Sequence, residues 1–337
     1  MEGVSWVKTF PGANNFSLFE SLPSKIYPPS SPYFKSLNTP QFTFLEGCYV
    51  MLLKEVPVGR FALYQNPYLK HKGQPAIALG SYECIDNHSV AEVLLAYAKT
   101  NASKMGCSWL LGPMEGSTFN NYRFSKSWER PLFFMEPYHH LYYNQQFVKA
   151  GFKELASYYS AENTEPDYNA EKLAKFEQYF VEKGAVFRNI NLKNLRDDLL
   201  KIAQFNEVVF SKNKYYTPIP IQAFADKYAR MESYLNPDLI WILEDKHEEM
   251  HAFAFAIPDY FDVKEETVIV KSVACKGGSP FKGAGSFLSG KINQVALQSG
   301  YKKLIHAFML KSNESTRISN KYGGNTIREY ALYGKKL

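Results

Sequence analysis

The stretch at 267–300, TVIVKSVACKGGSPFKGAGSFLSGKINQVALQSG, constrains the chain more than any other part of it. Residues 267–275 form an apolar, β-branched run of strand length, and the apolar spacing over 284–299 is helical. Between them lie Gly277, Gly278, Gly283 and Gly285. Glycine tolerates positive φ and lets backbone approach a ligand closely. The first-turn amides of a helix have no intrahelical acceptor and sit at its positive dipole end. Strand, glycine turn and helix start, in that order, make a phosphate cradle, and Lys282 adds a formal charge beside it. The same order also serves plain packing. No GK[ST] follows, so this is not a nucleotide P-loop, and no acidic strand end completes a dinucleotide fingerprint.

Strands and helices alternate along the rest of the chain. Residues 1–45, rich in Pro, Ser and aromatics, read as an extended lead-in with one short helix at 15–22. Strands are expected at 48–54, 58–64, 76–85, 107–112 and 152–160, with helices at 90–105 and 139–150. The polar segment AENTEPDYN (161–169) reads as a linker. The second half continues with helices at 170–183, 195–210 and 221–234 and strands at 185–191, 239–244, 250–257 and 267–275. The helix at 284–299 follows, then a strand at 303–309, a helix at 313–321 and a strand at 327–333. This is an α/β (α+β) pattern rather than a bundle or a sandwich. Both halves share an order of successive strands, helix and strand, so a tandem arrangement is expected, residues 1–165 followed by residues 166–337.

The second half resembles the GNAT superfamily of N-acyltransferases. In that family a strand leads to R/Q-x-x-G-x-G/A, whose backbone amides hold the CoA pyrophosphate. Here PFKGAG (280–285) stands at that place, with Gly283 and Gly285 matched and Pro280 in place of the usual Arg or Gln. The family continues with an asparagine beside the pantetheine arm and a helix ending in L-G-F; here SNESTRISNKYGG (312–324) follows. The resemblance implies two tandem GNAT-like domains, each a mixed, mostly antiparallel central sheet flanked by helices. It implies acetyl-CoA or another acyl-CoA as co-substrate, without a metal. The cofactor residues implied are Val273, Ala274, Cys275, Phe281, Lys282, Gly283, Ala284, Gly285, Ser286, Asn313 and Tyr322. Many family members carry a tyrosine that protonates the departing thiolate; the matching position here is Ser319, with Asn320 beside it. The donor is then the Ser319 hydroxyl, another group or a water, or the chain is catalytically weak.

Direct attack by an amine needs a group to take its proton. His306, on the strand expected at 303–309, is the leading candidate, with His251, Asp259 and Glu244 on neighbouring strands behind it. A lone strand histidine is also commonly structural. Tyr215 and Tyr216, in the loop SKNKYYTPIP (211–220), are candidate substrate contacts by the resemblance, or loop-anchoring aromatics. LLGPMEGSTFNNYRF (110–124) in the first half offers Ser117, Thr118 and Arg123 as a hydrogen-bonding set. The first half's counterpart of the cradle, GSYECIDNHSV (80–90), has Asp86 where phosphate would sit and only Gly80. That domain is expected not to bind CoA.

Composition bounds the remaining choices. Lys and Arg exceed Asp and Glu by a formal +6 but are scattered, which suits a polyanionic cofactor and does not indicate a nucleic-acid-binding arm. Cys48, Cys84, Cys107 and Cys275 are too dispersed for a zinc or disulfide framework. No long apolar stretch or signal-type leader is seen, so a soluble cytoplasmic protein is expected. The function expected is CoA-dependent N-acyl transfer, acetyl-CoA to a small-molecule or peptide amine held in a cleft between domains. The alternatives are a Fem-like aminoacyltransferase and a non-catalytic CoA-binding or sensor protein on the same fold. Oligomeric state is left open.

Overall fold

The computed structural model describes residues 1–35, 40–311 and 324–337, and the chain forms two compact units. Unit 1 comprises Met1–Ser157, Lys214–Pro218 and Glu329–Leu337; unit 2 comprises Tyr158–Asn213 and Ile219–Arg328.

Unit 1 starts with β1 (Val4–Thr9), α1 (Ser17–Ser21), α2 (Pro23–Ile26), β2 (Leu45–Leu53), β3 (Val56–Tyr64), β4 (Lys70–His71) and β5 (Gln74–Cys84). It continues with α3 (His88–Lys104), β6 (Trp109–Gly112), β7 (Phe124–Ser125) and α4 (Tyr142–Lys149). The sheet order is β1-β2-β3-β5-β6, antiparallel except for the parallel β5–β6 pair that α3 connects. Helix α3 buries Val90, Ala91, Leu94, Leu95, Ala98 and Ala102, a stripe at helical spacing. That stripe packs on Phe61, Leu63, Ile77 and Leu79 of the sheet.

The second half of the chain supplies β8 (Lys153–Asn163), α5 (Ala170–Glu182), β9 (Ala185–Asn189), α6 (Leu195–Val209) and α7 (Ile221–Ala229). Then come β10 (Ile240–Asp245), β11 (Met250–Pro258), β12 (Thr267–Cys275), α8 (Ala284–Gln298), β13 (Lys303–Leu310) and β14 (Asn325–Lys336). In unit 2 the order is β9-β10-β11-β12-β13-β8, again antiparallel except for the β12–β13 pair that α8 connects. Ala252, Ala254 and Ala256 of β11 present a low surface onto which Leu288, Ile292 and Ala296 of α8 settle. Both units therefore repeat one plan, a mixed and mostly antiparallel sheet flanked by helices.

Three features differ from expectation. The expected lead-in contains β1, which pairs along β2 from Val4↔Leu53 to Thr9↔Cys48; a neighbouring edge, not its own pattern, makes it a strand. The expected linker begins late, because Ala161, Glu162 and Asn163 extend β8 against His306, Ile305 and Leu304. The closing strands are exchanged between the halves. Tyr158 and the residues after it in β8 join unit 2, while β14 from Glu329 onward joins unit 1, pairing Tyr333↔Gly112 through Lys336↔Trp109. The expected helix at 313–321 lies outside the described residues.

Candidate functional site

The glycine turn on which the expected site rests lies in unit 2. Strands β12 and β13 pair in parallel from Thr267↔Lys303 to Val270↔His306. Beyond that pair β12 runs on to Cys275 and β13 to Leu310 with no further register pair among the described residues, so the strands fork. Both arms are irregular at the apex. The β11–β12 register shifts at Phe255/Ala256, which makes Lys271 the extra residue of a bulge. On the other arm Phe308 has φ +59°, the β13–β8 register shifts between His306 and Met309, and the Phe308 amide donates to Ser160 Oγ at 3.2 Å. Lys271 Nζ lies 3.8 Å from the centroid of the Phe308 ring.

His306 is the last paired residue at the apex. It is 6% exposed, and its Nε2 is buried with no hydrogen-bond partner among the described residues. Burial alone lowers its pKa to about 4, so the imidazole is neutral at physiological pH. A buried polar atom left without a partner is uncommon in a folded protein and marks a place where a bound group can complete the hydrogen bond.

At the far end of β12 the turn leads into α8. Gly283 caps the helix with φ +97°, a left-handed conformation that side chains resist, and no side chain caps the helix start. Gly285 serves packing: a Cβ there would lie 3.0 Å from Cys275 Sγ. A Cβ at Gly277 or Gly278 would meet nothing within 4 Å. Lys282 is exposed, Ser286 is half-buried, and Ala284 and Phe281 are buried. Phe281 turns into the core against Phe180, and its amide donates to Ser279 Oγ at 3.2 Å, so its side chain is packing. On β12, Val273 is half-buried, Ala274 buried and Cys275 exposed. Asn313, Ser319, Asn320 and Tyr322 lie outside the described residues.

The other candidate bases are engaged elsewhere. Both Glu244 oxygens accept from Arg188, Nε at 2.8 Å and Nη2 at 2.7 Å. Asp259 Oδ1 accepts from the Phe261 amide at 3.0 Å in a turn. His251 is tied to the turn loop, its Nδ1 lying 3.1 Å from Ser279 Oγ. Asp245, Glu249 and His251 are the one grouping of metal-ligand type among the described residues, with donor atoms within 4.8 Å of one another. Lys276 pairs with Glu249, and Ser279 with His251, which ties that grouping into the loop.

The candidate substrate contacts fall in unit 1. Tyr215 is held with φ +62° and its hydroxyl lies 2.7 Å from His71 Nδ1; burial pushes its pKa up to about 12. Tyr216 sets its ring edge-on to Phe119, with centroids 5.6 Å apart. Ser117 is fully buried and its Oγ accepts from the Phe119 amide at 3.3 Å. Thr118 is half-buried, and the Arg123 guanidinium covers the Tyr122 ring at 3.7 Å.

Unit 1 has its own fork, since β5 and β6 pair from Ala76↔Trp109 to Ala78↔Leu111 and then part. The chain fills it. The Met114 amide donates to Leu79 O at 2.7 Å, and a Cβ on Gly80 would lie 2.6 Å from Met114 O. Helix α3 is capped by Asn87, whose Oδ1 accepts from the Val90 amide at 3.1 Å. A polar cluster missed in the sequence lies beside this fork. Glu83 is buried and accepts from Tyr27 at 2.8 Å and Tyr143 at 2.6 Å, with Arg60 3.9 Å away. Its signal was the alternation of Arg60 and Glu83 into otherwise apolar strands.

No protein-family model matches the sequence, and no curated protein does. Solved structures match along the whole chain. A GCN5-related N-acetyltransferase from Sphaerobacter thermophilus aligns over 100% of this chain and 96% of its own, at 8% identity and TM-score 0.54. A tandem GNAT protein from the clavulanic acid biosynthesis pathway aligns over 99% and 98%, at 9% identity and TM-score 0.54. A fungal multi-domain GH3 β-N-acetylglucosaminidase containing a GCN5-related glucosamine N-acetyltransferase region aligns over 98% of this chain, at 11% identity and TM-score 0.57. This chain spans 38% of that fungal protein's length. At these identities the likeness is one of fold. The chain has the GNAT fold, and it has it in tandem.

Proposed function

We propose that the protein is an acyl-CoA-dependent N-acyltransferase whose co-substrate is held by unit 2. The observation that carries this reading is the β12–β13 fork, with a His306 Nε2 at its apex that has no partner among the described residues. The uncapped start of α8 after Gly283 supplies the other end of the site, with the backbone of Ala284, Gly285 and Ser286 for the pyrophosphate and Lys282 beside it. In this reading the edge of Val273, Ala274 and Cys275 takes the pantetheine arm. From Cys275 back to Val270 a strand covers about 16 Å, a length suited to an extended arm.

Bound acyl-CoA, acetyl-CoA in the simplest case, supplies an activated acyl group. The chain's own residues position it, shield it from water and handle the proton of an incoming amine. Neutral His306 accepts a hydrogen bond from the amine or from an intervening water. An imidazole that binds a proton this weakly orients the amine or the water as a hydrogen-bond acceptor and does not hold the proton itself. The acceptor belongs to the class of small-molecule or peptide amines. Unit 1, with its fork filled and its helix start capped by Asn87, binds no CoA in this reading.

Calorimetric titration with CoA tests these statements together. One site per chain is expected. Gly283→Asp, which sets a carboxylate where phosphate would lie, is expected to weaken binding about tenfold or more, the equivalent of about 1.4 kcal/mol. Two sites would refute the assignment to unit 2 alone. No binding at millimolar CoA would refute the function.

A further inference from the structure

We infer that His251 and Ser279 are positioning residues for the phosphate-binding loop, linked in a hydrogen-bond relay that fixes the backbone from Lys276 to Gly283. The inference rests on the proposed reading of that loop as the CoA cradle.

The relay runs from Asp245 through His251 to Ser279. A carboxylate can only accept, so the His251 Nε2 that lies 3.5 Å from Asp245 Oδ2 carries a hydrogen. On the other side of the ring Nδ1 lies 3.1 Å from Ser279 Oγ and shares a hydrogen bond with it. The same Oγ accepts from the Phe281 amide at 3.2 Å. Asp245 is held in turn by the amides of His247 at 2.8 Å and Glu249 at 3.0 Å. Two further contacts fasten the loop to the same histidine. The Lys276 amide donates to the His251 carbonyl at 2.8 Å, and the Phe281 ring stands edge-on to the imidazole, 4.9 Å between centroids.

His251 and Phe281 are buried at 6% and 3% exposure, whereas Gly277, Gly278, Lys282 and Gly283 face outward. The loop is therefore anchored from beneath at Ser279 and Phe281 while its glycine face stays open. The Phe281 carbonyl accepts from the Ala284 amide at 3.1 Å, which passes the anchor directly to the first residue of α8. A loop whose amides are aimed before the ligand arrives pays less ordering entropy on binding.

The experiment compares the full-length protein with Ser279→Ala, Ser279→Thr and His251→Phe. CoA affinity is read by calorimetry, and amide hydrogen exchange is read over residues 276–286 and over β11–β12. Ser279→Ala and His251→Phe are expected to weaken CoA binding 5- to 50-fold and to speed exchange in 276–286 while β11 and β12 stay protected. Ser279→Thr keeps the hydroxyl and should stay within about twofold of the wild type. The half-buried Ser279 makes the alanine variant the decisive one if His251→Phe does not fold. Unchanged CoA affinity in Ser279→Ala would overturn the inference, as would faster exchange spread evenly through the sheet. A wild-type protein that binds no CoA would instead remove the reading on which the inference stands.

Discussion

His306 shows how much a single side chain can owe to its surroundings. The sequence singles it out as a histidine on an apolar strand; only the fold buries it and holds its pKa near 4. The unfolded chain takes up its proton near pH 6.5 and the folded chain only near 4, so between those values the unfolded state binds more protons. Stability credited to the neutral form is therefore present at neutral pH and lost as pH falls through that window, by an amount on the order of 3 kcal/mol. Denaturant melts at pH 7.5 and pH 4.5 should show His306→Gln losing less stability on acidification than the wild type. Equal losses would mean that the imidazole is not held neutral. Gly283 was legible for a simpler reason, since a required positive φ leaves its mark in the residue type itself. Phe281 was not, because an aromatic beside a glycine turn reads the same whether it faces a ligand or the core.

At the scale of elements, unit 2 depends on a clamp that does not show in the sequence. Arg188 of β9 bonds Glu244 of β10 through Nε and Nη2, and Asp198 of α6 through Nη1 and Nη2 at 2.9 and 2.8 Å. The Asn191 amide also donates to Asp198, at 2.8 Å. The carboxylates are nearly enclosed, and the arginine side chain is 28% exposed. Removing the cation leaves two buried acids facing each other, so Arg188→Ala should cost about 2–4 kcal/mol, somewhat less than a fully buried pair. Chemical denaturation at pH 7 measures this, and a loss below about 0.5 kcal/mol would show that the clamp contributes little. Residue spacing could not join 188, 198 and 244, because strand register and helix placement bring them together. The element types themselves were mostly legible, as in β12 and α8, where apolar periodicity and local burial agree.

At the scale of the whole molecule, the exchange of closing strands sets the unit of folding. Unit 1 takes its strand beside β6 from Glu329 onward, and unit 2 takes Tyr158 onward beside β13. A fragment ending at residue 165 keeps β6 but leaves that edge bare, and it also lacks Lys214–Pro218. Such a fragment should show weak thermal cooperativity and self-association in size-exclusion chromatography, because an open edge recruits other chains. A peptide of residues 325–337 added in trans should restore monomeric behaviour. A cooperative, monomeric fragment without the peptide would show the exchange to be dispensable. The sequence by itself determined the α/β pattern, the repeated strand–helix–strand order and the glycine turn at 277–285, since each is written in local periodicity or in the backbone freedom of one residue. Tertiary structure alone decided that β8 and β14 trade places, that the fork of unit 1 is filled by Met114 and that the parallel pairing in unit 2 ends at a buried His306. Those outcomes depend on contacts between residues far apart in the chain, and such contacts leave no local pattern to read.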